Sequence, residues 1–155
     1  MGFGTGLADA DRKQIATELS RLLADSYSLY LKSQNYHWNV TGPMFQSLHV
    51  MFEEHYTELA MAVDEIAERI RALGHPAPGT FGEFSRLTAL TEDESMPLAR
   101  DMVGRLLVGH ETVVATARSV LSSAERSGDA ATADLVTRRI DVHEKTAWML
   151  RSLEQ

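Results

Sequence analysis

The sequence predicts an all-α fold, a four-helix bundle with one short extra helix in the connection between the second and third long helices. Three observations support this. Apolar residues recur at three, four and seven over stretches far longer than a strand. The four prolines, at 43, 76, 78 and 97, are all consistent with helix boundaries, where a missing N–H costs least. No run alternates apolar and polar residues as a half-buried strand would.

The first eight residues are glycine-rich and are expected to be a loose segment ahead of a single domain over 9–155. Helix one is predicted from about Asp9 to His37 on the stripe Ile15, Leu19, Leu22, Leu23, Ser26 and Tyr30, with Asp9 and Asp11 at its electropositive start. The segment from Trp38 to Pro43 breaks the pattern, and so short a link returns the next helix antiparallel. Helix two is predicted over Gln46–Leu73 and stopped by Gly74. The loop that follows keeps Phe81, Phe84, Leu87 and Leu90, so a short helix is expected near Phe81 to Leu87. Thr91 and Glu94 suggest a capping box opening helix three, with Pro97 in its first turn and its end near Arg126. Helix four is predicted from Ala130 to Leu153. The long second connection also permits helices two and three to run parallel.

Composition excludes several functions. With no cysteine, disulfides, thiol catalysis and thiolate metal sites are out, and any metal must be held by His, Asp and Glu. The N-terminus lacks a signal-peptide pattern and no apolar run is long enough for a membrane span, so a cytoplasmic protein is expected. The formal net charge of −7 opposes phosphate and favours cations.

Helix two carries the chemistry. Beside its apolar stripe runs a second row, His49, Glu53, Ala60, Asp64 and Glu68, at intervals of four, seven, four and four on one face. Asp64 lies eleven residues beyond Glu53, roughly 16 Å at about 1.5 Å per residue, so one ion cannot bridge the two pairs. His37 sits five residues before the Gly-Pro turn and His49 six after it, so the hairpin brings His37, His49 and Glu53 to one depth. The residues three before each histidine are Gln34, Gln46, Phe52, Ala72, Leu107 and Ile140, so the Glu-x-x-His of an ordinary intrachain di-iron bundle is absent. Two half-sites facing each other across a two-fold axis remain open: if two copies of helix two pack antiparallel, the centre is made twice. Of the other histidines, His55 points away from the ligand row, His110 reads as a satisfied core histidine, His75 belongs to the loop and His143 to a solvated face.

The run Asn35-Tyr36-His37-Trp38-Asn39-Val40-Thr41-Gly42, then Leu48-His49, then Asp64-Glu65-Ile66-Ala67-Glu68-Arg69, resembles the signature of the Dps mini-ferritins, a ferritin-like family. That resemblance implies a hollow dodecamer whose two-iron ferroxidase centres lie at two-fold interfaces. There Fe(II) is oxidised to Fe(III), preferentially by hydrogen peroxide rather than oxygen, and the ferric product is stored as mineral. It implies His37, His49 and Glu53 from one subunit and Asp64 and Glu68 from the partner, with Trp38 accepting oxidising equivalents. Zinc is expected as a competing ion. Position 53 is Glu where the commonest family pattern has Asp, which lengthens that arm and is expected to move the second iron position. Asp129 and Asp134 are candidates for an iron-entry pore, against helix capping as the plainer role of Asp129. Direct DNA coating, the alternative function, is disfavoured: family members that bind DNA commonly use a lysine-rich tail, and neither end of this chain is basic.

Overall fold

The computed structural model describes residues 3–154, which form five helices: α1 (Asp9–Asn39), α2 (Phe45–Ala72), α3 (Phe81–Leu87), α4 (Ala99–Ser127) and α5 (Ala130–Ser152). There is no strand among the described residues. Met1 and Gly2 of the expected loose segment lie outside them, as does Gln155. Residues 3–8 are irregular, yet the Phe3 ring packs over the Arg12 guanidinium, 5.2 Å from ring centroid to Cζ.

Cross-helix hydrogen bonds give the chain directions. Along α1, Glu18 accepts from Ser123 and Asp25 from Thr116, so α1 and α4 run antiparallel. Glu58 pairs with Arg139 and Arg69 with Asp129, so α2 and α5 are antiparallel as well. With tight turns joining α1 to α2 and α4 to α5, the order is up, down, down, up, and α2 and α4 are parallel. The core lies between the four long helices, where Leu19, Leu22, Phe52, Leu59, Leu106 and Val113 are fully buried.

Two glycines set the ends of α2. Gly42 has φ 106° in the turn before it and Gly74 φ 92° just after it, conformations that side chains disfavour. The start of α4 departs from expectation. Thr91 does not cap a helix: the chain stays irregular to Leu98, and α4 begins at Ala99. Pro97 disfavours helical backbone at Met96. The polar groups there bond elsewhere, Asp93 accepting from the Ser95 amide and pairing with Arg105, and the Thr91 carbonyl accepting from Lys32. A capping box forms instead on α3, where Thr80 accepts from the Glu83 amide and Glu83 from the Thr80 hydroxyl. The long connection is held down by buried Asp25, which accepts from the Thr88 hydroxyl, the Ala89 amide and the Thr116 hydroxyl.

Candidate metal centre

The hairpin turn brings His37 of the last turn of α1 against His49 of α2. The rings stack with centroids 3.8 Å apart and 13° between planes. Each Nδ1 lies 2.7 Å from the other residue's backbone carbonyl. A carbonyl only accepts, so both imidazoles carry their proton on Nδ1 and present a bare Nε2. A carbonyl that holds one ring nitrogen fixes the ring and leaves the other nitrogen able to meet a cation. His37 is buried, His49 half-buried, and Glu53 stands exposed one turn further along α2.

Asp64 and Glu68 occupy the other end of the same face. Asp64 borders a groove of about 680 Å³ whose walls are largely apolar, from Tyr27, Val63, Phe81 and Phe84. Glu53, Asp64 and Glu68 are all exposed and make no ion pair or hydrogen bond among the described residues. Their neighbours Glu58 and Glu65 are neutralised by Arg139 and Arg138. The arginines therefore serve the intervening carboxylates and leave the row of Glu53, Asp64 and Glu68 acidic. No three metal-binding side chains among the described residues gather around one point within the chain. Trp38, beside His37, is 62% exposed and turned outward.

The histidine expectations divide. His55 does turn away from the row, and His110 is buried as expected but not satisfied, because its Nε2 has no partner. His143 does not lie on a solvated face: it is fully buried and its Nδ1 is 2.9 Å from Nδ1 of His110. α5 turns that side toward α4 instead of solvent. The Nη2 of Arg139 lies 2.9 Å from His143 Nε2, and the same guanidinium pairs with Glu58. A guanidinium only donates, so His143 accepts at Nε2 and donates from Nδ1 to His110 Nδ1. That leaves Nε2–H on His110 pointing into the core without a partner, and His55 Nδ1 is also buried and unpartnered. The His55 and His110 rings meet edge to face, 5.7 Å apart. Burial lowers the pKa of His55 to about 4, against a smaller opposing pull from Glu58. Burial, with smaller effects of His55 and Arg139, lowers that of His110 to about 3, and His143 is likewise pushed well down, chiefly by burial. All three are neutral at pH 7.

Asp129 caps α5. Its carboxylate accepts from the Thr132 amide and hydroxyl and from Arg69. Burial pushes its pKa up, but those Thr132 and Arg69 contacts together hold it below the usual value. Asp134 is exposed and accepts from Arg138 at 3.1 Å.

A ferritin-like domain model matches residues 16–155. The DNA protection during starvation protein 2 of Bacillus anthracis is 37% identical over 140 residues, covering 90% of this chain and 96% of that protein. The chain is a Dps mini-ferritin. Its fold superposes on the Dps protein of Vibrio cholerae with a TM-score of 0.93 at 31% identity, covering 97% of this chain and 94% of that one. That structure is described as belonging to a broad superfamily of ferritin-like diiron-carboxylate proteins. A low-temperature-induced protein of Nostoc is 42% identical over 152 residues, covering 95% of this chain and 83% of that protein. No helix among the described residues of this Dps chain is long and apolar enough to cross a membrane.

Proposed function

We propose that this Dps protein oxidises Fe(II) at centres shared between two subunits and stores the ferric product inside a hollow dodecamer. The observation that carries the reading is the separation of ligands on α2. Two imidazoles with bare Nε2 atoms stand at one end and two unpaired carboxylates at the other, too far apart to meet within one chain. An antiparallel partner places Asp64 and Glu68 of one subunit over His37, His49 and Glu53 of the next. The apolar walls of the groove beside Asp64, with Phe81 76% exposed, are suited to that packing.

The donor set suits the substrate. Imidazole nitrogens bind Fe(II), and the carboxylates neutralise the harder ferric product. The reciprocal histidine hydrogen bonds hold both rings ready, so little reorganisation precedes binding. When two ferrous ions are held together, hydrogen peroxide takes one electron from each and leaves as water, without releasing hydroxyl radical. Protection of DNA follows from removing both reagents. Contact with DNA is not needed, and the net charge of −7 per subunit opposes it. Asp134, exposed near the start of α5, is the residue we assign to an iron-entry pore; Asp129 serves that region as its cap.

Anaerobic Fe(II) titration followed by peroxide or oxygen tests the centre. Asp64→Ala with Glu68→Ala is expected to abolish rapid oxidation, and unchanged rapid oxidation in that double variant overturns the proposed site. Sizing the native particle tests the assembly: a monomer cannot form this centre. Tight plasmid complexes in a gel shift at neutral pH would overturn the protection mechanism.

A further inference from the structure

The rings at the histidine half-site continue into a line of tyrosines. His37 meets the edge of Tyr56 with centroids 5.2 Å apart, and Tyr56 meets Tyr30 at 5.9 Å. Tyr30 meets Tyr27 at 5.6 Å, and Tyr27 stacks on Phe84 of α3 at 4.9 Å. Every step falls within the roughly 4.5–7 Å range of aromatic rings in contact. Tyr27 and Tyr30 come from α1 and Tyr56 from α2, so only the packing of the hairpin makes the line continuous. Its far end is informative. Tyr27 and Phe84 wall the groove that contains Asp64. One subunit's tyrosines thus begin at its own histidine half-site and end beside its own acidic half-site, which in a two-fold dimer belong to different centres.

All three tyrosines are half-buried, and the Tyr30 hydroxyl accepts from the Gln34 amide at 3.4 Å. The chemistry of the proposed reaction gives such a line a use. Peroxide needs two electrons, and a centre that holds a single Fe(II) supplies one; reduction by one electron yields hydroxide and hydroxyl radical.

We propose that Tyr56, Tyr30 and Tyr27 form an electron relay between the two iron centres of a dimer, an inference that rests on the function proposed above. At a centre holding one Fe(II), the ferrous ion gives one electron to hydrogen peroxide and Tyr56 gives the second together with its phenolic proton. One further proton from solvent completes two waters, leaving Fe(III) and a neutral tyrosyl radical. The vacancy passes to Tyr30 and Tyr27, each regaining its proton as the next loses one. Fe(II) at the other centre then refills Tyr27 with an electron while solvent returns the proton. The sum is two Fe(II), one peroxide and two protons giving two Fe(III) and two waters, the same balance as at a filled centre. Trp38 points outward and lies off this line, so it is a separate sink.

The test loads native protein anaerobically with less than one Fe(II) per centre, mixes it with hydrogen peroxide, freezes it rapidly and records electron paramagnetic resonance. Wild type and Trp38→Phe are expected to show the neutral tyrosyl signal. Tyr56→Phe keeps the ring and its packing and is expected to lose most of that signal. Tyr30→Phe is expected to confine the radical to Tyr56, with peptide mass mapping finding oxidation at Tyr56 and none at Tyr27. Circular dichroism and particle size check that the variants fold. A tyrosyl signal of wild-type strength in Tyr56→Phe overturns the relay. Rapid iron oxidation in wild type without any tyrosyl signal overturns the relay alone, whereas no rapid oxidation by peroxide in wild type overturns the proposed function with it.

Discussion

Two groups of histidines in this protein have opposite chemistry. In His37 and His49, at the α1–α2 turn, each Nδ1–H is taken by a backbone carbonyl, so each Nε2 is left as a free acceptor. His55, His110 and His143 sit among α2, α4 and α5, where Arg139 fixes His143 as an acceptor and, through it, turns His110 into a donor with Nε2–H exposed to the core. The residue type is the same. What differs is the second partner of each ring: a carbonyl prepares imidazole to bind a cation, and an arginine prevents it. Counting histidines would favour the buried group as the metal site, whereas following the protons favours the pair at the turn.

That contrast can be broken at either end. The largest effect is expected from His49→Ala, which removes a proposed ligand and the ring stacked on His37 while leaving the backbone carbonyl that holds His37 Nδ1. Rapid iron oxidation, followed by stopped-flow absorbance, should fall at least about 100-fold, beyond the roughly 10–100-fold loss when only a group that orients a ligand is removed. His110→Gln, by comparison, should leave the rate near wild type. If His110→Gln silences oxidation and His49→Ala does not, the assignment of the two groups is reversed. Next, Arg139→Leu strands the His143 acceptor and Glu58; because Glu58 is partly exposed, a loss of about 2 kcal/mol in urea unfolding is expected, below the figure for a fully buried pair.

The third test is acid. The pKa of His110 is depressed to about 3 and that of His143 lies well below its usual value, so between about pH 6.5 and those values the unfolded chain binds protons that the folded chain does not. Their contribution to stability is complete above about pH 6.5 and is lost as pH falls. Thermal melts from pH 7 to pH 4 should therefore show a steeper decline in wild type than in His110→Gln, and equal slopes would remove the buried group from the explanation. The smallest effect is expected at the turn. Gly42→Ala places a side chain at φ 106° and should cost about 1 kcal/mol, with a modest slowing of oxidation as the hairpin shifts the two carbonyls.

The amino-acid sequence determined the helices, because long apolar stripes and confined prolines leave few alternatives. α2 and α3 match their expected spans within a residue at each end, and α1 runs only two residues further. It also set out the row proposed to bind iron and, through helical rise alone, placed its two ends too far apart to serve one ion within a chain. The opening of α4 was misread because Thr91 and Glu94 have the local chemistry of a capping box, while Pro97 and the distant partners Lys32 and Arg105 decide the backbone there. His143 was misread for a related reason: only the packing of α5 on α4 buries it.

Tertiary structure decided which nitrogen of His37, His49 and His110 carries the proton, because that depends on carbonyls across the hairpin and on a His143 ring brought from α5 to α4. It alone aligned three tyrosines of two helices into one path. Spacing along a helix is local and can be read from the sequence; the second neighbour of a side chain is set by packing between helices and cannot.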